Sequence, residues 1–108
     1  MSYVVHHERT FAVSTNVLWD LVSDHCQMHR WFVPGMRIHL EQKGCPPPNG
    51  AGAIRVFEQA GFVVKEKVLA FEPPHRMTYT VLRGFPIANH LGEIQLQPCD
   101  SKTRLSWT

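Results

Sequence analysis

The sequence has few cysteines, no long apolar run and no strong excess of charge. Cys26, Cys45 and Cys99 are odd in number and widely spaced, which fits neither a disulfide framework nor a CxxC zinc site. No window stays apolar over the roughly eighteen residues that a membrane span requires. The formal net charge of +2 comes from interspersed acidic and basic residues and gives no basic stripe that would favour nucleic acid. We predict free thiols, no membrane span and no nucleic-acid partner.

The length and the N-terminus bound the organisation of the chain. Its 108 residues suffice for one domain and leave little room for a second. We therefore expect residues 1–108 to form a single domain. Residues 1–7 lack the basic stretch and apolar core of a secretion signal, so we expect a cytoplasmic location.

Local patterns predict one strand, two short helices and then a series of strands. Residues 3–13 are rich in β-branched and aromatic types and predict the first strand. Ser14 stands at the N-cap of an amphipathic helix that ends near Asp24, and residues 25–32 predict a second short helix or turn. The further predictions are strands at 36–42, 53–58, 62–71, 77–82, 90–97 and 103–108, and a loop at 44–52.

The later strands can be paired so that their apolar faces agree. A tight turn at Ala60-Gly61 places Arg55 opposite Glu66, with both side chains on the apolar face. A turn at Pro73-Pro74 and two later hairpins extend the same face. The further expected pairs are Phe57 with Val64, Val68 with Tyr79, Ala70 with Met77, Val81 with His90, Ile94 with Leu105, and Gly92 with Trp107.

An arginine and a glutamate on an apolar face require an explanation. One explanation is a structural ion pair, because buried charges are normally paired. The other is that the pair lines a pocket, where the guanidinium orients a carbonyl or hydroxyl of a ligand. The candidate ligand-binding residues are Arg55, Phe57, Glu66, Val68, Met77, Tyr79, Val81, His90 and Trp107.

Two further groups of side chains could carry chemistry. Tyr79 and His90 could act as a general acid and base in an apolar pocket, or they could fill space and satisfy one hydrogen bond each. His25 and His29 have the spacing of two metal ligands on one helical face, but only Asp24 and Cys26 lie nearby as further ligands. We expect surface histidines, and we predict no metal site and no cofactor.

The order of elements and four segments resemble the START and Bet v 1-like superfamily (SRPBCC), in particular its polyketide cyclase/dehydrase-like branch. The segments are VLWDLVSDHCQMHRWFVPGMRIHLE at 17–41, GAGAIRVFEQ at 50–59, VVKEKVLAFEPPHRMTYTVLRGFP at 63–86 and HLGEIQLQPCDSKTRLSWT at 90–108. The resemblance implies an α+β helix-grip fold. In this fold a curved antiparallel sheet wraps around a long C-terminal helix, and a deep cavity lies between them. The family would continue beyond Thr108 into that helix, so we expect the grip helix to be missing from this chain.

The resemblance implies a function in binding a small apolar molecule, such as a lipid, a polyketide or an isoprenoid-like compound. Ligands in this superfamily enter at the end of the sheet where Trp19, Met28, Trp31 and Phe32 could form an apolar lip. Alternatively, these residues, Trp19 and Phe32 in particular, could simply belong to the core. Two alternatives stay open. One is a cyclase or dehydratase that acts on a bound carbonyl. The other is an interaction module whose open sheet docks on a partner chain, which includes a homo-oligomer.

Overall fold

The computed structural model describes residues 6–31, 35–84 and 91–108. The described residues form seven strands, one α-helix and one turn of 3-10 helix. Their bounds are β1 His7–Phe11, α1 Thr15–Ser23, the 3-10 turn Met28–Arg30, β2 Arg37–Gln42, β3 Ile54–Gln59, β4 Phe62–Glu72, β5 Arg76–Arg83, β6 Leu91–Cys99 and β7 Lys102–Trp107.

All seven strands join one curved antiparallel sheet in the order β1-β7-β6-β5-β4-β3-β2. Strands β2 to β7 follow one another along the chain, and β1 closes the sheet beside β7. The helix and the 3-10 turn carry the chain from the β1 edge to the β2 edge. This arrangement confirms the predicted α+β helix-grip class, including the position of two short helical elements after the first strand.

Helix α1 begins at the predicted cap and buries its apolar side against the sheet. The Ser14 hydroxyl accepts a hydrogen bond from the Val17 amide at 3.3 Å, which satisfies one of the free donors of the first turn. Leu18, Trp19 and Val22 are buried and join the core with side chains of β4 to β7. Each such side chain stabilises the fold by about 1.5–3 kcal/mol.

The β3–β4 hairpin has the predicted register. Gln59 pairs with Phe62, and the two residues between them, Ala60 and Gly61, both adopt positive φ angles of 51° and 86°. That combination is the two-residue hairpin turn whose twist matches the flanking strands. Arg55 therefore pairs with Glu66 as predicted.

The β4–β5 hairpin corrects one predicted pair. Val68 pairs with Tyr79 as expected, but Ala70 pairs with Thr78 and Phe71 with Met77. Leu69 is the extra residue of a β-bulge, which reverses the faces of the residues that follow it. The Ala70 amide is satisfied by the Thr78 hydroxyl at 3.0 Å.

The effect of the bulge is to turn Phe71 toward the core. Its ring lies 5.5 Å from that of Trp19, between centroids, in a tilted arrangement. An aromatic side chain thus takes the inward position that the sequence pattern assigned to Ala70.

The β6–β7 hairpin is shifted by two residues from the prediction. Ile94 pairs with Trp107 rather than Leu105, and Leu105 pairs with Leu96. The reason is the turn, which places only Asp100 and Ser101 between the paired Cys99 and Lys102. Because side chains alternate with a period of two, this shift leaves every residue on its predicted face.

Because of this shift Gly92 does not lie opposite Trp107. Its partner is Tyr79 of β5, on the other side of β6. The expected proximity of His90 to Val81 falls outside the described residues.

Candidate functional site

Arg55 is the most unusual residue on the face of the sheet that packs against α1, which we call the concave face. Its side chain is only 2% exposed, and its Nη2 donates to Glu66 Oε1 at 2.8 Å. The Glu66 side chain is 16% exposed, so the predicted ion pair exists and is largely buried. An ion pair at this depth persists because each charge would cost several kcal/mol to bury alone.

The guanidinium keeps donor capacity that Glu66 does not use. Nε is buried and has no hydrogen-bond partner among the described residues. Nη1 faces the thioether of Met28 at 3.8 Å, which is a weak acceptor. Buried donors in native proteins are almost always satisfied. The site therefore presents a buried, directional donor beside an apolar wall.

Phe57 and Val68 form part of that wall. The Arg55 guanidinium carbon lies 6.0 Å from the Phe57 ring centroid, a distance at which the ring face still attracts a cation. Both apolar residues are buried on the same side of the sheet as Arg55.

Tyr79 places a phenol on this face. Its hydroxyl accepts a hydrogen bond from Trp107 Nε1 at 2.8 Å. Burial is the largest influence on the phenol and raises its pKa above the ordinary value of 10.0, the Trp107 bond opposes this, and the charges of Glu66 and Arg55 act in opposite directions. Tyr79 is therefore a neutral phenol at physiological pH.

Gly92 allows the Tyr79 ring to lie close to strand β6. A Cβ atom at this position would collide with the ring and lie 2.5 Å from the hydroxyl oxygen. The Tyr79–Trp107 hydrogen bond therefore depends on the lack of a side chain at position 92. Sequence reasoning missed Gly92 as a site residue, although an isolated glycine within a strand pattern signals a close approach.

The other predicted residues divide into core, rim and undescribed positions. Met77 is fully buried in the core, and Val81 is partly exposed on the same face. Trp107 is also partly exposed, and its ring meets Trp31 edge-on at 5.9 Å. His90 lies outside the described residues.

The four residues of the predicted apolar lip also lie in different surroundings. Met28 is buried and contacts Arg55, Trp31 contacts Trp107, and Trp19 belongs to the core. Phe32 lies outside the described residues. Met28 and Trp31 therefore extend the predicted site, and the 3-10 turn brings them there.

The histidine pair predicted on one helical face is not brought together. His29 Nδ1 donates to the Cys26 carbonyl oxygen at 2.9 Å. His25 turns instead toward Asn49 of the 44–52 loop. A depression of about 280 Å³ at His75 and residues 95–98 contains none of the predicted site residues.

The sequence matches one family model over nearly its whole length. Residues 3–108 match the model described as polyketide cyclase / dehydrase and lipid transport. The chain belongs to this family. None of the helices in the described part of the chain has the length and apolar composition to cross a membrane. No curated protein matches the sequence.

Several solved structures share the fold. CalU16 from Micromonospora echinospora is 18% identical with a TM-score of 0.70, and the match covers 94% of this chain and 56% of CalU16. A Thermobifida fusca protein is 26% identical with a TM-score of 0.78, covering 95% of this chain and 69% of that one. Ara h 8.0201 is 16% identical with a TM-score of 0.72, covering 95% and 71%.

The family model confirms the polyketide cyclase/dehydrase-like branch that the sequence motifs indicated, and the solved structures show that the fold is shared. The chain spans little more than half the length of CalU16 and about 70% of the other two proteins.

Proposed function

We propose that this family member binds a small, mostly apolar molecule over the concave face of the sheet, with a hydrogen-bond acceptor of the ligand held by Arg55. The observation that carries the proposal is the buried guanidinium with one donor lacking a partner among the described residues. Family membership supports an apolar ligand. Phe57 and Val68, on the same face as Arg55, supply apolar contact area.

The ion pair determines which acceptor is preferred. Glu66 balances the charge of Arg55, so a ligand oxygen meets a directional donor within a neutral pair. A carbonyl or hydroxyl oxygen suits that environment better than a second carboxylate, which would bring an unbalanced negative charge into a buried site. The ligand class is therefore an apolar molecule with a carbonyl or hydroxyl group.

A second candidate is a cyclase or dehydratase reaction on a bound carbonyl. The observation that favours it is the Tyr79 hydroxyl, which accepts a hydrogen bond from Trp107 Nε1 and keeps its own proton, because burial raises its pKa. A phenol beside a carbonyl held by Arg55 could protonate the developing oxyanion as a general acid.

Binding and catalysis respond differently to loss of the phenol. Tyr79→Phe should weaken an apolar carbonyl ligand by no more than about tenfold, since most affinity comes from apolar contact. An enzyme that uses Tyr79 as its acid should lose on the order of a hundredfold in rate. Binding and turnover of one polyketide-like ligand, measured in the parent and in Tyr79→Phe, separate the two functions.

Native mass spectrometry of the purified chain tests for a retained ligand and for self-association in one experiment. The proposal includes a homo-oligomer in which a second copy covers the sheet. It also includes a single domain over residues 1–108 and a cytoplasmic location. The three exposed free cysteines support a reducing compartment.

A further inference from the structure

A second group of potential ligand side chains follows α1, outside the proposed ligand site. Within residues 6–31, 35–84 and 91–108, one group of three metal-ligating side chains is found, formed by Asp24, His25 and Cys26. Their ligand atoms all lie within 4.8 Å of one another. The group offers one oxygen, one nitrogen and one sulfur donor.

Asn49 of the 44–52 loop fixes the tautomer of His25. Asn49 Nδ2 donates to Asp24 Oδ1 at 3.2 Å, and Asn49 Oδ1 accepts from the His25 backbone amide at 3.2 Å. These two bonds settle the orientation of the amide group. His25 Nδ1, 2.8 Å from Asn49 Oδ1, must therefore carry a proton, because an amide oxygen can only accept.

The neutral ring then presents a lone pair on Nε2, and that atom points to Cys26. An amide or carbonyl oxygen that receives the other ring N–H is the usual outer partner of a metal-ligating histidine. Cys26 Sγ lies 3.5 Å from His25 Nε2. For Zn–N and Zn–S bonds of about 2.05 and 2.3 Å at a tetrahedral angle, the two donor atoms are about 3.5 Å apart.

Asn49, which anchors this arrangement, lies in a closely packed loop. Asn49 is buried, and the neighbouring Gly50 packs so closely on Cys45 that a Cβ would collide with its carbonyl group. The Cys26 amide donates to Asp24 Oδ1 at 2.9 Å, which fixes the first of the three ligands relative to the third. Cys26 itself is exposed, so a cation can reach the group from solvent.

We propose that Asp24, His25 and Cys26 bind a divalent zinc-like cation, with Asn49 positioning His25 and a fourth coordination position open to solvent. A mixed sulfur, nitrogen and oxygen set suits Zn²⁺ better than Mg²⁺ or Ca²⁺, which prefer oxygen ligands alone. The three ligands all follow α1, and the hydrogen bonds of Asn49 connect them to the 44–52 loop.

The test is titration of the purified chain with Zn²⁺ by calorimetry and with Co²⁺ by absorption spectroscopy. The proposal predicts one equivalent of bound metal and a sulfur-to-cobalt charge-transfer band. Cys26→Ser should abolish the band, and His25→Ala should weaken Zn²⁺ binding by at least about tenfold. Circular dichroism of each variant establishes that it is folded.

Matched controls exclude other metal sites. Cys45→Ser and Cys99→Ser remove the other exposed thiols, and His6→Ala removes a histidine that does not contact the group. All three should leave the band and the affinity unchanged. Absence of the sulfur-to-cobalt band in the parent chain, or a band that survives in Cys26→Ser, would overturn the proposal.

Discussion

At the scale of single residues, the Arg55–Glu66 pair distinguishes this concave face from an ordinary apolar core. Glu66→Ala leaves a buried guanidinium without its counter-charge, and we expect it to lower the free energy of unfolding by about 3 kcal/mol. Urea denaturation of the parent and the variant measures this loss.

The matched control is Glu41→Ala, which breaks the Lys65–Glu41 pair, whose side chains are 27% and 47% exposed. We expect that change to cost less than about 1 kcal/mol, because solvent screens the pair. Equal losses in the two variants would show that Arg55 is solvated and would contradict the account of the site.

The Tyr79 phenol should show its burial in its titration. Its pKa is raised in the folded chain, chiefly by burial, so the folded state favours the neutral phenol. Its stabilising effect is complete below the ordinary pKa of tyrosine and is lost as the pH rises through the higher folded value.

Absorbance of the phenolate from pH 8 to 13 checks this expectation. Because the chain also contains Tyr3, the contribution of Tyr79 is obtained as the difference between the parent and Tyr79→Phe. We predict that the component lost in the variant titrates above the ordinary tyrosine value of about 10. A component that titrates at or below that value would contradict the burial of the phenol.

Gly92→Ala should disturb Tyr79 more than a typical strand substitution. The added methyl group overlaps the ring, and overpacking of this kind costs about 1–3 kcal/mol. A thermodynamic cycle tests the cause. In a Tyr79→Ala background the same substitution should cost little, whereas an unchanged cost would show that the backbone, not the ring, requires glycine.

At the scale of elements, the helix cap and the hairpin turns determine the architecture. Ser14→Ala removes the acceptor of the Val17 amide and should cost about 1 kcal/mol of unfolding free energy. Ser14→Asn preserves an acceptor at this position and should restore most of it. Thermal or urea unfolding of the two variants makes the comparison, and identical stabilities would contradict the capping role.

The elements also show which parts of the fold can be read from the sequence. Local signals such as Ser14 and the Ala60-Gly61 turn predicted α1 and the Arg55–Glu66 pair, because their information lies within a few residues. The bulge at Leu69 left no such signal. The bulge allows Phe71 to pack on Trp19, a contact between residues far apart in the sequence. No turn residue near Leu69 indicates it.

The candidate site was predictable only where it followed strand parity. Alternation identified Arg55, Tyr79 and Trp107 as residues of one face, even though the β6–β7 register was wrong by two residues. Met28 and Trp31 join the site through the 3-10 turn, whose direction depends on contacts with α1 and β2. The His25–Asn49 contact links residues 24 positions apart, which helical spacing could not foresee.

At the scale of the whole molecule, the sheet supplies one continuous surface and the helical elements cover one part of it. Helix α1 packs against β6 and β7, while the 3-10 turn packs against β2. The Arg55–Glu66 pair lies on β3 and β4, toward the β2 side of the sheet. The surface that binds the proposed ligand is thus formed mainly by strands and by the Met28 turn.

A binding experiment can decide whether Arg55 selects an apolar ligand that carries a hydrogen-bond acceptor. Two probes of similar size, 2-acetylnaphthalene and 2-ethylnaphthalene, differ in that a methylene group replaces the carbonyl group. Replacement of both members of the pair, Arg55→Met with Glu66→Leu, removes the donor without leaving a buried charge, a change that folded proteins often tolerate.

The most direct measurement is titration of the isotopically labelled chain with each probe, followed by amide chemical shifts in the parent and in the double variant. We predict shifts on β3, β4 and β5, and affinity about tenfold or more higher for the ketone in the parent, as a hydrogen bond from a charged donor provides. The double variant should bind both probes equally. Equal affinities in the parent, or shifts confined to the outer face of the sheet, would contradict the account.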